Sequence, residues 1–264
     1  MKRVLVWVFG VLAMLSAGFA FANATATSVT GTVRAQMGVA EMRTLRTGDT
    51  VRSGDTVITG PGSSAVLRFE DGQIAALGAN SRLVVQAFDY NATTKSGNIV
   101  LNLLAGGMRA ITGLIGRSSP SSVKYRAGNY TIGIRGTDVN IAFDGGNALV
   151  TVLDGVITFT YGTQTITVPA GEGVNARTDG SFQQGAINEI IRQLQQTPAG
   201  QQLLNSIQGL SSLSLAVSSA AAGTSGTVTV PTGEDGRPTF SSGTTPTTSG
   251  PSGSAGGGGR PSRR

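Results

Sequence analysis

Between residues 27 and about 178, apolar and polar positions alternate in short runs punctuated by Gly, Asp and Pro, the signature of half-buried strands. Ala65-Val66-Leu67-Arg68-Phe69 and Gln73-Ile74-Ala75-Ala76-Leu77 flank Glu70-Asp71-Gly72. Asp-Gly tolerates the positive φ of a tight hairpin, so this stretch predicts two antiparallel strands. Further strands are predicted over 81–85, 99–104, 130–139, 148–153, 156–160 and 164–168. Asp154-Gly155 is expected to turn the chain between two of them, and Pro169-Ala170-Gly171 to close the last. Gly48-Asp49-Thr50-Val51 recurs six residues later as Gly54-Asp55-Thr56-Val57. Two copies are too few for a solenoid. They predict two short strands around a corner, with Val51 and Val57 pointing inward and each Gly-Asp in a turn.

Over 183–211 the period changes to that of a helix. Ile187, Ile190, Ile191 and Leu194 form one apolar stripe, and Leu203, Leu204, Ile207 and Leu210 a second. Thr197-Pro198 between them suits an N-cap followed by the first helical residue. Each stripe has a Gln-rich back. That predicts helices packed on the β-domain, with a docking or dimerisation helix as the alternative. From 216 to 264, 34 of 49 residues are Gly, Ser, Thr or Pro. Such a stretch buries too little apolar surface to offset chain entropy and is expected to be disordered. The expected fold class is therefore all-β, a short-stranded β-roll or β-sandwich over 23–180. Two short amphipathic helices in 181–215 and a low-complexity tail over 216–264 follow it. Alternation alone does not separate roll from sandwich, since both bury every second residue.

The N-terminus reads differently. Met1-Lys2-Arg3 precedes an apolar run from Val4 to Phe21 that ends in Ala20-Phe21-Ala22. This is the pattern of a secretory signal peptide over 1–22 with cleavage near Ala22; an uncleaved anchor is the alternative. No later run is long enough to span a bilayer. The expected location is periplasmic or secreted.

Composition narrows the chemistry. The 264 residues contain no His and no Cys, which excludes His-based triads, thiol nucleophiles, zinc fingers and disulfides. Residues 23–180 hold 13 basic and 11 acidic side chains, so the net charge of +6 reflects a small surplus and no basic face is expected. Clustered Lys/Arg, which nucleic-acid binding needs, is approached only by Arg260, Arg263 and Arg264. No nucleic acid, cofactor or metal is expected.

Several local patterns invite sharper readings. Gly60-Pro61-Gly62-Ser63-Ser64-Ala65 fits a dinucleotide-binding turn by spacing, but strand residues follow it where a helix is required. Glu70 with Asp71, and Asp49 with Asp55, are carboxylate pairs in turns, where Asp satisfies its own backbone; they make a weak hydrolase site, and Asp49, Asp55, Asp71 or Asp138 a weak Ca²⁺ site. In Ile132-Gly133-Ile134-Arg135-Gly136-Thr137-Asp138, alternation puts the two Ile on one face and Arg135 on the other, with Gly permitting a bulge. Arg135 is expected in an ion pair with Asp138, Asp154 or Glu172, with ligand contact as the alternative. Of the four tyrosines, only Tyr125 and Tyr130 are close in sequence, either a small glycan-stacking surface or strand packing.

Taken in chain order, these residues resemble the FecR domain. Leu45, Gly48-Asp49, Val51, Gly54-Asp55, Val57 and Thr59-Gly60 are similar to its opening stretch. Ser64 to Phe69 with Asp71-Gly72 resembles the following hairpin, and Ser81 to Val85 the next strand. Leu103, Gly106-Gly107 and Arg109 resemble its L-x-x-G-x-x-R segment. Ile134-Arg135-Gly136-Thr137 resembles its I/V-R-G-T segment, and Val150 to Val156 the strand beyond. FecR-like signal transducers combine a cytoplasmic anti-sigma segment, a membrane helix, a periplasmic FecR domain and a receptor-docking domain. The signal peptide and the low-complexity tail depart from that plan at both ends. The resemblance implies a stand-alone, exported and non-catalytic FecR-like module in envelope signalling or surface sensing. Its expected partner is an envelope protein, a membrane sensor or receptor, with peptidoglycan or another glycan as the alternative. Arg109, Arg135, Asp138, Tyr125 and Tyr130 are the candidate structural or interaction residues.

Overall fold

Among the described residues, fifteen strands form one continuous hydrogen-bonded sheet, which folds back on itself into two layers. The computed structural model describes residues 23–213; the signal segment expected over 1–22 and the tail expected over 216–264 lie outside them. The first layer runs β4 (Thr50–Arg52), β1 (Asn23–Thr30), β6 (Ser64–Phe69), β7 (Ile74–Leu77), β9 (Ser96–Ile111), β11 (Tyr130–Asp144), β12 (Asn147–Tyr161), β14 (Glu172–Ala176) and β15 (Phe182–Ala186). The second layer runs β3 (Arg43–Thr44), β2 (Val33–Met37), β5 (Asp55–Thr59), β8 (Arg82–Asn91), β9, β10 (Val123–Ala127), β11, β12 and β13 (Gln164–Pro169). All neighbours are antiparallel except β9 and β10.

Three strands thus belong to both layers. The last third of β9 pairs with β7 and with the second half of β11, while its first half pairs with β8 and β10. β11 and β12 divide in the same way, and their mutual ladder slips between Arg135 and Asp138. Each long strand bends at a glycine with positive φ: Gly106 at 84°, Gly136 at 60° and Gly155 at 78°. Residues with a side chain rarely take that conformation, and a bulge there re-aims the strand. Asp154-Gly155, expected to be a turn between two strands, is instead the corner of one continuous strand. The Gly signal was read for its conformation, but a bend and a reversal need the same φ.

The layers enclose the main core, with Leu67, Phe69, Leu101, Tyr125, Ile141 and Phe159 among its residues. Phe69 meets Phe88 edge-on at 5.0 Å, and Tyr130 stacks on Phe159 at 5.3 Å. Val51 and Val57 are both fully buried. The repeat around them extends to an Arg on each copy: Arg46 N donates to Asp49 Oδ2 at 2.7 Å, and Arg52 N to Asp55 Oδ2 at 2.9 Å. Each Asp therefore satisfies the backbone three residues before it, which is why the six-residue unit repeats at this corner.

Three helices follow or interrupt the strands: α1 (Leu114–Ser118), α2 (Ile187–Leu194) and α3 (Pro198–Ser212). Thr197 caps α3, its Oγ1 accepting from Gly200 N at 3.1 Å. Ile190, Leu194, Leu203 and Leu204 bury against Ala142 and Leu149 on the outer side of the first layer. The helices are packed on the β-domain, as the amphipathic stripes predict. A Cβ on Gly107 would lie 2.2 Å from the Ser206 carbonyl oxygen, so the bare backbone of β9 is what lets α3 settle there. The boundary at 180 moves, because β15 occupies the start of the segment assigned to helices. Phe182-Gln183-Gln184-Gly185-Ala186 carries no strong strand pattern, and its pairing with β14 is what sets it.

Candidate binding face

The structure separates the five candidate residues. Arg109 and Asp138 meet on the outer side of the first layer, Nε to Oδ1 at 2.9 Å and Nη2 to Oδ2 at 2.6 Å. Arg109 stands on β9 and Asp138 just past the bend of β11, so this fork clamps the corner in register. The hydrogen bond to Asp138 holds the guanidinium protonated more firmly than usual, against the opposing effect of burial. Arg135 takes no part in it. It is exposed and makes no ion pair among the described residues, which corrects the expectation that it pairs with Asp138, Asp154 or Glu172. The slip in the ladder after Arg135 turns it to the other layer, away from Asp138.

Tyr125 and Tyr130 are also corrected as a glycan-stacking surface. Both are buried between the layers. The Tyr125 hydroxyl donates to Gln73 Oε1 at 3.1 Å, and the Tyr130 hydroxyl lies 2.6 Å from the Arg177 carbonyl oxygen and 3.1 Å from that of Gly146. Odd positions of β10 point inward, and that parity places Tyr125 in the core.

The turn carboxylates have structural partners. Asp71, expected to point into water or cap its turn, is buried. It accepts from Gln73 N at 3.0 Å and from Ile115 N, at the start of α1, at 3.4 Å. Burial pushes its carboxyl above the ordinary range, more than these backbone donors lower it. Asp55 accepts from Arg43 as well as from Arg52 N. No group of three or more carboxylates is placed to hold a metal among the described residues. Gly60 to Ser63 leads into β6, with no helix after it.

What remains open is the outer side of the second layer. Parity directs Arg34 (β2), Thr56 and Ile58 (β5), Arg82 and Val84 (β8), and Val100, Asn102 and Leu104 (β9) outward. Lys124 and Arg126 (β10), Thr131, Gly133 and Arg135 (β11), Thr158 and Thr160 (β12), and Thr165 and Thr167 (β13) continue the face. Register aligns Thr165, Thr160, Thr131, Arg126, Asn102, Val84 and Thr56 in one row across seven strands. Beside it lies the row Thr167, Thr158, Gly133, Lys124 and Val100. A groove of about 550 Å³ opens here, floored by Gly133 and flanked by Lys124, Arg135, Thr158 and Thr167. The absence of a side chain at Gly133 makes its floor.

This face collects five cations, Arg34, Arg82, Lys124, Arg126 and Arg135, none of them in an ion pair among the described residues. Among the described residues the one carboxylate that the register places on this face is Asp89, at the far end of β8 beside Asn98. The even balance of charge along the sequence hides this. Apart from Asp89, the carboxylates of the β-domain sit in turns, in the core, at the strand corners or on the other layer, and the cations of alternate strand positions share one side. A basic face exists where the overall count predicts none.

The model of the family described as FecR protein matches one domain-sized span, residues 55–158. The domain thus starts at β5 and ends within β12, so it includes the bends of all three long strands and most of the open face. Two crystal structures of a candidate anti-sigma factor from Parabacteroides distasonis are similar to the chain. One matches with 11% identity and a TM-score of 0.41 over 54% of this chain and 65% of that one. The other matches with 12% identity and a TM-score of 0.42 over 53% and 72%. The chain thus spans less than two thirds of the first of these proteins. No curated protein matches it significantly.

Proposed function

We propose that this chain is an exported, non-catalytic module of the bacterial envelope that acts in signalling or surface sensing by binding another protein. The observation that carries this reading is a FecR domain with one outer side sealed by helices and the other left open, polar and cationic. An open sheet face with five unpaired cations and a row of Thr hydroxyls offers recognition; no acid–base pair lies in its groove. Export rests on the basic start, the apolar run and the small residues ending at Ala22. A protein partner is favoured over a neutral glycan because no aromatic ring stands outward on the open face, and sugar binding draws on such rings.

The test is in-cell photo-crosslinking of the full chain in its native envelope, with the crosslinker placed in turn on each outer side. Reproducible capture of one membrane sensor or receptor supports the reading. Capture of nothing but glycan-associated material, with co-sedimentation on sacculi, overturns it in favour of wall binding.

A further inference from the structure

We infer that the open face is a docking site for an extended, acidic polypeptide segment, a deepening that rests on the protein-binding reading above. The five cations are not scattered. Arg135, Lys124, Arg126 and Arg82 step diagonally across the sheet through successive rows of the register, and Arg34 on β2 continues the stripe along the row of Arg82. With strands ~4.8 Å apart and ~3.4 Å per residue along each, the stripe is on the order of 30 Å long, with cations roughly 7–12 Å apart. An extended chain covers that length in about nine residues and presents every second side chain about 7 Å apart on one side. A segment with an acidic residue at alternate positions matches the stripe. Arg guanidinium forks suit carboxylates, two N–H donors to two oxygens.

What lies between the cations selects polypeptide over other polyanions. Val84, Val100, Ile58 and Leu104 flank the stripe, and Asn102 stands at its middle with a buried side-chain oxygen that has no hydrogen-bond partner among the described residues. Apolar side chains set between the cations suit a peptide. They offer little to a sulfated or uronic polysaccharide. Among the described residues of the face, no outward aromatic is present to stack nucleic-acid bases.

Charge also narrows the occupant. A second copy brought face to face would set cation against cation. Residues 216–264 of the chain itself carry four Arg against Glu234 and Asp235, so the tail is repelled as well.

The experiment titrates the full mature chain with a ten-residue peptide alternating Glu and Val, its Gln-for-Glu counterpart, and an alginate oligomer, by fluorescence anisotropy at low and high salt. The Glu peptide is expected to bind at least tenfold more tightly than the Gln peptide and than alginate, and to be released by high salt. Arg82→Glu with Arg126→Glu is expected to weaken it at least tenfold, Arg82→Gln with Arg126→Gln by less, and Arg177→Glu, off the face, not at all. Unchanged thermal unfolding confirms that these surface variants fold. Equal binding of the Glu and Gln peptides, tighter binding of alginate, or indifference to the face variants overturns the proposal. The two readings fail separately. A protein captured only from the helix side of the molecule, with no Glu-peptide binding, sinks the stripe and keeps the protein-binding module. Glu-peptide binding without any protein captured in cells does the reverse.

Discussion

Gly155 and Gly136 stand back to back across the corner shared by β11 and β12: a Cβ on Gly155 would lie 2.2 Å from the Gly136 carbonyl oxygen, while one on Gly136 would meet nothing within 4 Å. Both have positive φ, so only the first adds a collision with backbone to the conformational cost. Gly136→Ala is expected to cost about 1 kcal/mol. Gly155→Ala is expected to cost several times that, roughly 3 kcal/mol or more, because backbone cannot swing aside like a flexible side chain. Urea unfolding of the two variants measures the gap, and equal losses would refute the account of the corner.

The Arg109–Asp138 fork and the unpaired Arg135 make opposite predictions. Arg109→Gln and Asp138→Asn are each expected to lose about 1–3 kcal/mol, the range for hydrogen bonds to charged groups. The double variant should lose little more than either alone. Arg135→Gln should stay within about 0.5 kcal/mol of the parent, as exposed side chains do. A double-mutant cycle with no coupling between positions 109 and 138 would count against the fork as a clamp.

Asp71 gives the molecule a pH signature. Its folded carboxyl is raised by burial, so it holds its proton more readily folded than unfolded. Its contribution to stability is then full below about pH 4, the unfolded range, and is lost as pH rises through the folded value. Asp71→Asn keeps an oxygen for Gln73 N and cannot ionise. The stability of the parent relative to this variant is expected to fall between pH 4 and pH 7. A difference that stays flat over that interval would show that Asp71 ionises without penalty.

Seating of α3 depends on Gly107. Gly107→Ala pushes a methyl into the Ser206 carbonyl and is expected to cost about 2 kcal/mol or more. It should also speed amide exchange across Leu203 to Leu210. Gly185→Ala is the matched control, since its new Cβ would meet only Ile190 at an ordinary 3.8 Å. Slow exchange in α3 after Gly107→Ala would mean that the helix is held by its apolar stripe alone.

Elements written into local pattern were legible in the sequence. Alternation located most strands, the 3.6-residue stripes located both terminal helices, and Thr197-Pro198 marked the start of α3. The ordered FecR-like residues, Leu45 to Val156, overlap the span that the FecR family matches, 55–158. What escaped was set by non-local geometry. The Arg135 ion pair failed because a bulge at Gly136 changes which layer the next residues face, and a sequence gives no register. Tyr125 and Tyr130 looked like neighbours with a common surface, yet both point into the core. The cationic stripe was the largest omission. Its members are 34, 82, 124, 126 and 135, and only β-pairing across half the chain assembles them. Alternation along each strand was the available signal, but it needs the strand order to become a surface.

The strands that cross at Gly106, Gly136 and Gly155 have a mechanical meaning. In an ordinary sandwich the two sheets are joined by loops and can slide past each other as a first step of opening. Here three covalent backbones pass from one sheet into the other through its middle, like ties through a double wall. Shear between the sheets must break ladders on both sides at once. Force applied to the open face has a direct covalent route along these strands to the layer that carries the helices.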